Sequence, residues 1–447
     1  MEKTDFGKDF NWGVATSSFQ IEGSNHVDGK IDSIWDVFTK TKGKIRNGDQ
    51  ANDACNHYEL WKEDFKLLKK LGVDSYRFSI SWPRVVGQDL KTKNQKGIDF
   101  YKKQINELLE LEITPFLTLN HWDIPQAFFE KGGWVNRDCI NYFLEYANFL
   151  SNEYGDIVKN WITHNEPWVI SHLGYSLGTH APGIKSFSDY IKVNHHLLIS
   201  HGLSIPIIRE NSKKSEVGIV LNLTPGYPES SSPEDKEETL IFNQFFNEWF
   251  LDPLYKKKYP KEVMDHWIKK GDFPANTDFI KENDFDIIAT ETDFLGINYY
   301  SRAILKSSDT DNNKYPIENI SGSKTKFDWE VFPDGLEKLL LDVNEHCNPK
   351  KIYITENGCS YDYEIDSKNQ INDIKRIEYL ESHLLACKRA INKGVPLKGY
   401  FHWSFMDNFE WAEGYYHRFG LVHIDFQTFE RLPKLSYEWY RNFLIKL

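Results

Sequence analysis

The stretch Ile162-Thr163-His164-Asn165-Glu166-Pro167 is a β-rich apolar run that ends on a carboxylate and is stopped by proline. A second stretch has the same form, Tyr353-Ile354-Thr355-Glu356-Asn357-Gly358, with glycine as the stop. Residues at the carboxyl ends of barrel strands converge, so such peptides can bring Glu166 and Glu356 together. Two carboxylates at strand ends are the minimum equipment for cleaving a glycosidic bond, because one protonates the leaving oxygen while the other attacks the anomeric carbon or activates a water.

Alternating strand and helix patterns surround these two peptides along the chain. Short apolar runs, most of them rich in β-branched or aromatic residues, predict eight strands buried on both faces: Asn11–Ala15, Val73–Ile80, Thr114–Asn120, Val158–His164, Val217–Asn222, Phe294–Tyr299, Lys351–Thr355 and Lys398–Trp403. Amphipathic stretches predict helices at Glu59–Leu71, Asp99–Leu111, Arg137–Tyr154 and Ile374–Ile391. Eight β/α repeats favour a closed barrel over an open doubly wound sheet.

Two further features support the barrel. The first predicted strand runs into Ala15-Thr16-Ser17-Ser18-Phe19-Gln20, which lacks the GxGxxG turn that an open dinucleotide-binding sheet carries there. No Ser/Gly linker or low-complexity tract marks a boundary, so we expect an α/β protein with a single catalytic (β/α)8 TIM-barrel domain over residues 1–447 and long βα loops. The polar segment Ser301–Phe332 predicts such a loop after the sixth strand, on the face where barrels carry active sites.

Composition narrows the classes of partner. The 447 residues are 40% hydrophobic and 15% aromatic, which is sufficient for a large core. Lys and Arg number 54 against 66 Asp and Glu, and the net charge of −12 argues against nucleic acid or an anionic membrane surface as a partner. No apolar run reaches the roughly 18 residues of a membrane-spanning helix.

The amino-terminal segment and the cysteines predict a cytoplasmic protein. Met1-Glu2-Lys3-Thr4-Asp5-Phe6 lacks the apolar segment of a signal peptide. The cysteines are scattered, odd in number and without a CxxC pair, which predicts reduced thiols and neither a disulfide framework nor a zinc site. They are Cys55, Cys139, Cys347, Cys359 and Cys387.

The predicted strands carry polar and aromatic residues at or near their carboxyl ends, which a barrel would bring to one mouth. These residues are Gln20, Arg77, His121, Trp122, Asn165, Glu166, Asn222, Asn298, Tyr300, Glu356 and Trp403. Amide and carboxylate groups bind sugar hydroxyls, and indole faces stack on the apolar side of a pyranose. Any one of these residues could be an ordinary polar cap, but their presence around the whole mouth predicts a carbohydrate site.

Further motifs follow one another in order along the chain. They are Phe10-Asn11-Trp12-Gly13-Val14-Ala15-Thr16 leading to Phe19-Gln20-Ile21-Glu22-Gly23, then Tyr76-Arg77-Phe78-Ser79-Ile80-Ser81-Trp82-Pro83-Arg84, His121-Trp122-Asp123, His180-Ala181-Pro182-Gly183 and Trp403-Ser404-Phe405-Met406-Asp407-Asn408-Phe409-Glu410-Trp411. With the two glutamate peptides, they resemble family 1 of the glycoside hydrolases, the β-glucosidase and β-galactosidase group, over nearly the whole length. One motif could arise by chance, but their joint presence in order is very specific.

The resemblance implies a retaining double displacement that needs no metal or cofactor. Glu356 would be the nucleophile, and Glu166 would act as general acid and then as general base. Arg77 and Tyr300 would hold Glu356 ionised and oriented, and Asn165 would bind the 2-hydroxyl. The physical chemistry agrees, because a nearby carboxylate raises the pKa of an acid, and retaining enzymes hold the two carboxyl groups about 5–5.5 Å apart.

The resemblance also implies a site for the glycone, the sugar on the non-leaving side of the bond. Its substrate-binding residues would be Gln20, His121, Trp122, Asn165, Asn298, Tyr300, Glu410, Trp411 and Phe419, with Trp403 as an aromatic floor. We expect non-phosphorylated β-D-glucosides, together with β-D-galactosides, fucosides and short β-linked oligosaccharides. Family members that act on 6-phospho sugars typically have Ser in place of Glu410, which would repel a phosphate. His417 stands where many members have Lys, which keeps a 6-phospho-β-glycosidase as an alternative.

Several positions depart from the family pattern or lie outside it. His164 stands where Phe is usual, and His402 stands where an apolar residue is common. We expect both rings to hydrogen-bond in the barrel wall, and a second hypothesis is that His164 modulates the pH profile of Glu166. Trp168 and Trp329 are predicted to be exposed platforms for the aglycone, the leaving group. The alternative is that one of them packs under the Ser301–Phe332 loop.

Other functions remain as alternatives. A transglycosylase would share every catalytic residue, whereas a non-catalytic sugar-binding barrel would be expected to have lost one of the two glutamates. A metal hydrolase is disfavoured, because His195, His196 and His201 lie on a predicted helix without an HExxH motif. We therefore expect no metal site and no cofactor. The expected partner is a small-molecule β-glycoside or oligosaccharide, and homo-oligomerisation stays open.

Overall fold

The computed structural model describes residues 1–274, 276–307 and 322–445. Eight parallel strands close into a barrel, in which the first strand pairs with both the second and the last. They are β1 (Asn11–Ala15), β2 (Ser75–Ser79), β3 (Thr114–Asn120), β4 (Asn160–Asn165), β5 (Glu216–Asn222), β6 (Phe294–Asn298), β7 (Ile352–Asn357) and β8 (Leu397–Trp403). The predicted (β/α)8 barrel is confirmed, and the predicted strand ends differ from the observed ones by two residues or fewer.

A helix returns the chain to the start of the next strand after each barrel strand. These helices are His57–Leu71, Gln95–Glu110, Ile140–Tyr154, Phe187–Asn211, Asp284–Ile288, Pro333–Cys347, Ile374–Asn392 and the closing Leu435–Ile445. The helix predicted from Arg137 begins at Ile140, because Arg137–Cys139 forms a separate 3-10 turn. The Asn136 side chain caps that turn by accepting a hydrogen bond from the Asp138 N–H. None of the helices in the described ranges combines the length and the apolar run needed to cross a membrane.

The loops at the barrel mouth carry further short elements. Their α-helices are Ser18–Ile21, Ile34–Thr39, Trp82–Val85, Gln126–Glu130, Pro233–Asn243, Trp249–Lys256 and Lys261–Lys270. Two π-helical segments, Val169–Ser176 and Gln244–Glu248, follow β4 and β5. The described part of Ser301–Phe332 is not wholly irregular, because Ala303–Leu305 pairs in parallel with Gly226–Pro228. Residues 308–321 of that predicted loop lie outside the described residues.

Aromatic and aliphatic side chains fill the inside of the barrel. Phe116 meets Tyr353 and Phe401 edge to face, at ring-centroid distances of 5.4 and 4.9 Å. Ile162 and Val220 belong to the same buried cluster, which reaches up to the mouth. The interior is therefore a packed core rather than a pore. The polar groups at the carboxyl ends of the strands lie next to these apolar side chains.

One glycine decides how closely the fourth barrel helix packs. A Cβ placed on Gly202, in the helix Phe187–Asn211, would lie 1.9 Å from the carbonyl oxygen of Ile287. Ile287 belongs to the helix Asp284–Ile288, so the contact is backbone against backbone and a side-chain rotation cannot relieve it. The glycine is therefore required by close approach and not by a left-handed backbone.

We expect Gly202→Ala to destabilise the protein, although alanine normally stabilises a helix by roughly 0.5–1 kcal/mol over glycine. Overpacking should lower the free energy of unfolding by about 1–3 kcal/mol. Thermal unfolding followed by circular dichroism measures the change. The control is Gly87→Ala, whose added Cβ would meet nothing closer than 3.5 Å. An unfolding temperature for Gly202→Ala at or above the wild-type value would contradict the close approach.

Candidate active site

One cavity of about 460 Å³ opens at the carboxyl ends of the strands. Thirteen of the residues predicted from the sequence line it: Glu166, Glu356, His121, Trp122, Asn222, Asn298, Tyr300, Trp403, Glu410, Trp411, Phe419, Trp168 and Trp329. They come from six different strand ends and from the loops that follow them. Gln20, Arg77 and Asn165 are buried directly behind this lining and act on it through hydrogen bonds.

Both carboxylate oxygens of Glu356 are held by donors. Arg77, fully buried on β2, donates from Nη1 to Glu356 Oε1 at 2.7 Å. The Tyr300 hydroxyl donates to Oε2 at 2.7 Å. Arg77 also donates from Nη2 to Asn165 Oδ1 at 2.6 Å, which ties β2 to β4 as well as to β7. These bonds orient Glu356 and favour its ionised form.

Glu166 is held more loosely and in an unusual backbone conformation. Asn298 Nδ2 donates to Glu166 Oε1 at 2.6 Å, and no other described side chain is recorded as donating to that carboxyl. The Glu166 backbone has φ of +50°, in the left-handed region, directly before Pro167. Such a conformation is costly for a residue with a Cβ and is found mostly at functional sites. It turns the chain sharply from β4 toward the helical segment Val169–Ser176.

The surroundings of the two carboxyl groups separate their proton affinities. Burial raises the pKa of Glu166 well above its ordinary value, and the negative charge of Glu356 raises it further. Burial also raises the pKa of Glu356, but the Arg77 charge and the Tyr300 hydrogen bond oppose this rise. A single proton shared by the pair therefore resides on Glu166 while Glu356 is ionised. This is the division that an acid and a nucleophile require.

Polar side chains around the pair form a continuous network. Asn165 donates to His121 Nε2 at 3.1 Å, so that nitrogen accepts and the Nδ1 nitrogen carries the proton. His121 Nδ1 has no hydrogen-bond partner within the described ranges and is free to meet a sugar hydroxyl. Trp122 Nε1 donates to the Asn165 carbonyl at 2.9 Å. The Trp403 ring stacks on His121 with 5.8 Å between centroids and also lines the cavity.

Glu410 brings a third carboxyl group to the cavity. Burial raises its pKa to about 8, with further contributions from the charges of Glu356 and Glu413. Its Oε2 is buried and has no hydrogen-bond partner in the part of the chain that the structure describes. Gln20 donates to the carbonyl of Phe409 at 2.9 Å and so holds the loop that carries Glu410. Gln20 is thus placed behind the cavity wall rather than on its surface.

The outer half of the cavity is apolar and includes residues that sequence reasoning missed. Val169, Leu173, Thr224, Phe242, Phe246 and Phe327 all belong to its lining. Trp168, predicted to be exposed, is only 7% exposed because its ring packs on Phe246 at 4.2 Å. Trp329 is half-buried and stacks on Phe327 at 4.2 Å. Phe246 lies 80 residues after Glu166 in a π-helical segment, and its spacing carries no signal that links it to the site.

The two unusual histidines lie in the barrel wall. Ser200 donates its hydroxyl proton to the Leu197 carbonyl, so it accepts from His164 Nε2 at 2.8 Å. His164 Nδ1 in turn accepts from Asn120 at 3.0 Å. Burial lowers the pKa of His164 well below its ordinary value, which keeps this ring neutral. Burial lowers the pKa of His402 in the same way, and its ring is fully buried.

The histidines considered as metal ligands are engaged elsewhere. His195 bonds to Tyr259 and Asp284, His196 to the Trp134 carbonyl and His201 to Thr163. Within the described ranges, three potential ligand atoms converge only at Glu248, Asp252 and His346. The Lys256 ammonium already lies 2.7 Å from His346 Nε2 and 3.3 Å from Asp252, which places a cation in that cluster.

We expect the pKa of Glu166 to fall in Glu356→Gln, because the variant removes the negative charge that opposes ionisation of Glu166. Carbon-13 NMR of labelled glutamate carboxyl groups across a pH titration measures the shift. The matched control is Glu410→Gln, which removes a charge with a smaller influence on Glu166 and should lower the same pKa less. An unchanged Glu166 pKa in Glu356→Gln would show that the two carboxyl groups are not coupled.

We expect His164→Phe to destabilise the protein while leaving both limbs of the pH–rate profile in place. The substitution leaves Asn120 and Ser200 without their buried partner, which costs about 1–3 kcal/mol of unfolding free energy. Thermal unfolding and pH-dependent kinetics on one β-glucoside measure the two effects. His164→Gln, which keeps a hydrogen-bonding group, should lose less. A displaced limb in His164→Phe would support the alternative, a direct influence on Glu166.

Comparisons with known proteins agree with this geometry. A family model described as Glycosyl hydrolase family 1 matches residues 2–446. Beta-glucosidase A of Acetivibrio thermocellus is 44% identical over 448 residues, covering 99% of this chain and 98% of that protein. A solved family 1 b-glucosidase from Thermotoga maritima superposes with a TM-score of 0.93 at 43% identity, covering 98% of this chain and 97% of that one. A 6-phospho-beta-galactosidase of Clostridium acetobutylicum is 35% identical, covering 98% of this chain and 96% of that protein. The chain therefore belongs to glycosyl hydrolase family 1.

Proposed function

We propose that this protein is a retaining β-glycosidase that hydrolyses non-phosphorylated β-D-glucosides through a glycosyl-enzyme intermediate. The observation that carries the proposal is the unequal support of two buried carboxyl groups in one cavity. Glu356 has a donor on each oxygen, whereas Glu166 has a single amide donor and the higher proton affinity. A fixed carboxylate beside a protonated carboxyl group is what double displacement at an acetal carbon requires.

In the first step, Glu356 attacks the anomeric carbon and Glu166 protonates the departing oxygen. The new bond joins a Glu356 oxygen to the sugar, and the aglycone leaves as an alcohol with the proton of Glu166. The negative charge of Glu356 disappears as the ester forms. After burial, this charge is the largest of the effects that raise the pKa of Glu166, so its loss weakens the hold of Glu166 on its proton. The pKa of Glu166 then falls and its carboxylate becomes a base.

In the second step, Glu166 accepts a proton from water while the water oxygen attacks the anomeric carbon. The bond to Glu356 breaks, and the sugar leaves with its original β configuration after two inversions. Arg77 and Tyr300 stabilise the returning carboxylate through the hydrogen bonds they already make. Both glutamates are thereby restored to their starting protonation states.

The glycone is recognised by the polar half of the cavity. The free Nδ1–H of His121 and the unpaired carboxyl oxygen of Glu410 offer one donor and one acceptor to ring hydroxyls. Asn165 lies next to Glu166 with its amide held by Arg77 and His121, ready for the 2-hydroxyl. Trp403 provides the floor on which the sugar ring stacks. We include galactosides, fucosides and short β-linked oligosaccharides among the proposed substrates.

The 6-phospho alternative has less support at this site. Neither Glu410, a carboxyl group, nor Phe419, a hydrocarbon ring, supplies a cation for a phosphate in the cavity. His417 is 4% exposed, packs on Phe327 at 4.2 Å, and burial lowers its pKa to about 4. A neutral, covered ring is a poor phosphate ligand at neutral pH. Transglycosylation uses the same first step, and only the competition between water and another acceptor separates it from hydrolysis.

We further infer that residues 1–447 act as one catalytic domain in the cytoplasm. The site takes residues from β2 through β8, so dividing the barrel would divide the site. All five cysteines are free, and burial raises the pKa of Cys55 and Cys387 well above the ordinary thiol value. Unreactive, unpaired thiols suit a reducing compartment.

We expect Glu356→Gly to abolish hydrolysis of 4-nitrophenyl β-D-glucoside and azide to restore release of 4-nitrophenol. Azide fits the space of the missing carboxylate and attacks from the same face, so the product should be the α-glucosyl azide. Chromatography with NMR of the product gives its anomeric configuration. A β-glucosyl azide would instead identify the altered residue as the acid–base group. Wild type and variant are both assayed on the 6-phospho-β-D-glucoside, where turnover of that compound alone would refute the Glu410 argument.

A further inference from the structure

One wall of the outer cavity is a short aromatic hairpin, the segment Thr325–Trp329, and this inference rests on the proposed function. The Thr325 N–H donates to the Trp329 carbonyl at 2.9 Å, and Asp328 has φ of +62° at the bend. Trp329 packs on Tyr300 at 5.0 Å, and Phe327 stacks on Trp329 at 4.2 Å. Both rings line the cavity that contains the two glutamates. We call Phe327 and Trp329 the aromatic wall.

The aromatic wall is partly buried against the barrel cluster, where the rings of Phe327 and Trp329 lie 6.0 and 6.2 Å from that of Phe419. Phe327 packs on His417, and the Lys326 N–H donates to the Ser360 carbonyl at 2.8 Å. Phe327 and Trp329 are each half-buried, and Asp328 between them is exposed. After Trp329 the hairpin is anchored by Glu330, whose carboxylate pairs with Arg302 at 2.7 Å and whose carbonyl accepts from the Ser301 hydroxyl at 2.9 Å. The tip is anchored separately, through Lys326.

Lys326 is held by residues on two other loops, and one of its contacts is an ion pair at 2.6 Å with the exposed carboxylate of Asp362. Its ammonium lies 3.7 Å from the centroid of the Tyr416 ring and donates to the Tyr416 carbonyl at 3.1 Å. The Arg46 guanidinium lies 4.1 Å from the same centroid and pairs with Glu413 at 2.6 Å. We call Arg46, Lys326 and Tyr416 the rim clasp. It joins the loops that follow β1, β6 and β8 at the cavity mouth.

We infer that the rim clasp positions the aromatic wall and thereby makes the enzyme selective for glycosides with a flat, apolar aglycone. An aromatic leaving group can stack on Trp329 or Phe327 only if those rings are already in place, because ordering them on binding would consume part of the affinity. Phe246, Val169 and Leu173 line the same cavity and add apolar surface that suits such an aglycone.

The clasp is separate from the catalytic machinery. Glu356 and Glu166 are held by Arg77, Tyr300 and Asn298, none of which belongs to the clasp. Tyr416 is 41% exposed, so replacing it leaves the buried core intact. No hydrogen bond of its hydroxyl is recorded within the described ranges, which means that the ring, rather than the oxygen, carries the contacts.

The test compares Tyr416→Leu, which removes the ring, with Tyr416→Phe, which keeps it. Kinetics are measured on 4-nitrophenyl β-D-glucoside and on methyl β-D-glucoside, whose aglycone is too small to reach the wall. We expect Tyr416→Leu to raise KM for the aryl substrate about three- to tenfold, as loss of cation–π contacts at an exposed site allows, with KM for the methyl substrate unchanged. Tyr416→Phe should match wild type on both.

Two kinetic outcomes would overturn the inference. Equal changes on both substrates would mean that Tyr416 acts on the glycone site, and no change on either would mean that the clasp does not position the wall. Hydrogen exchange provides a readout that does not depend on catalysis: amides of residues 323–330 should exchange faster in Tyr416→Leu and at the wild-type rate in Tyr416→Phe. If wild type hydrolysed neither glucoside, the proposed function would fail, and the exchange rates alone would decide whether the clasp holds the wall.

Discussion

The buried guanidinium of Arg77 is the interaction on which the rest of the site depends. It lies at the top of an apolar barrel and bonds to Glu356, to Asn165 and to the Thr355 carbonyl, so one charge joins three strands. A buried charge is tolerated only with an opposite charge and satisfied hydrogen bonds. Arg77 and Glu356 therefore require each other, and their ion pair ties the ends of β2 and β7 together.

The packed interior below this pair gives the site its chemistry. Phe116, Tyr353 and Phe401 fill the barrel and keep water away from the carboxyl groups above them. In such surroundings an unpaired carboxyl group keeps its proton, and a carboxylate beside an arginine loses it. Glu166 and Glu356 have the same side chain, and their different partners and surroundings are what distinguish an acid from a nucleophile.

Sequence patterns were sufficient to predict the strands and the two glutamate peptides of this protein. Strands such as Thr114–Asn120 are buried on both faces, so their apolar runs are strong signals, and each glutamate peptide ends at a stop residue visible in the sequence. Predictions failed where a tertiary contact overrode the pattern. Trp168 was predicted to be exposed, but Phe246 covers it.

The sequence by itself determined the eight strands, the order of the motifs and the two carboxylates that meet at the mouth, because each depends on residues adjacent in the chain. Only the tertiary structure decided what surrounds them. His417 looked like a candidate phosphate ligand, yet it is covered by a ring 90 residues away, and Tyr416 meets a cation 370 residues before it. Such contacts join loops that follow different strands. A local sequence pattern cannot predict them, because the closure of the barrel decides which loops meet.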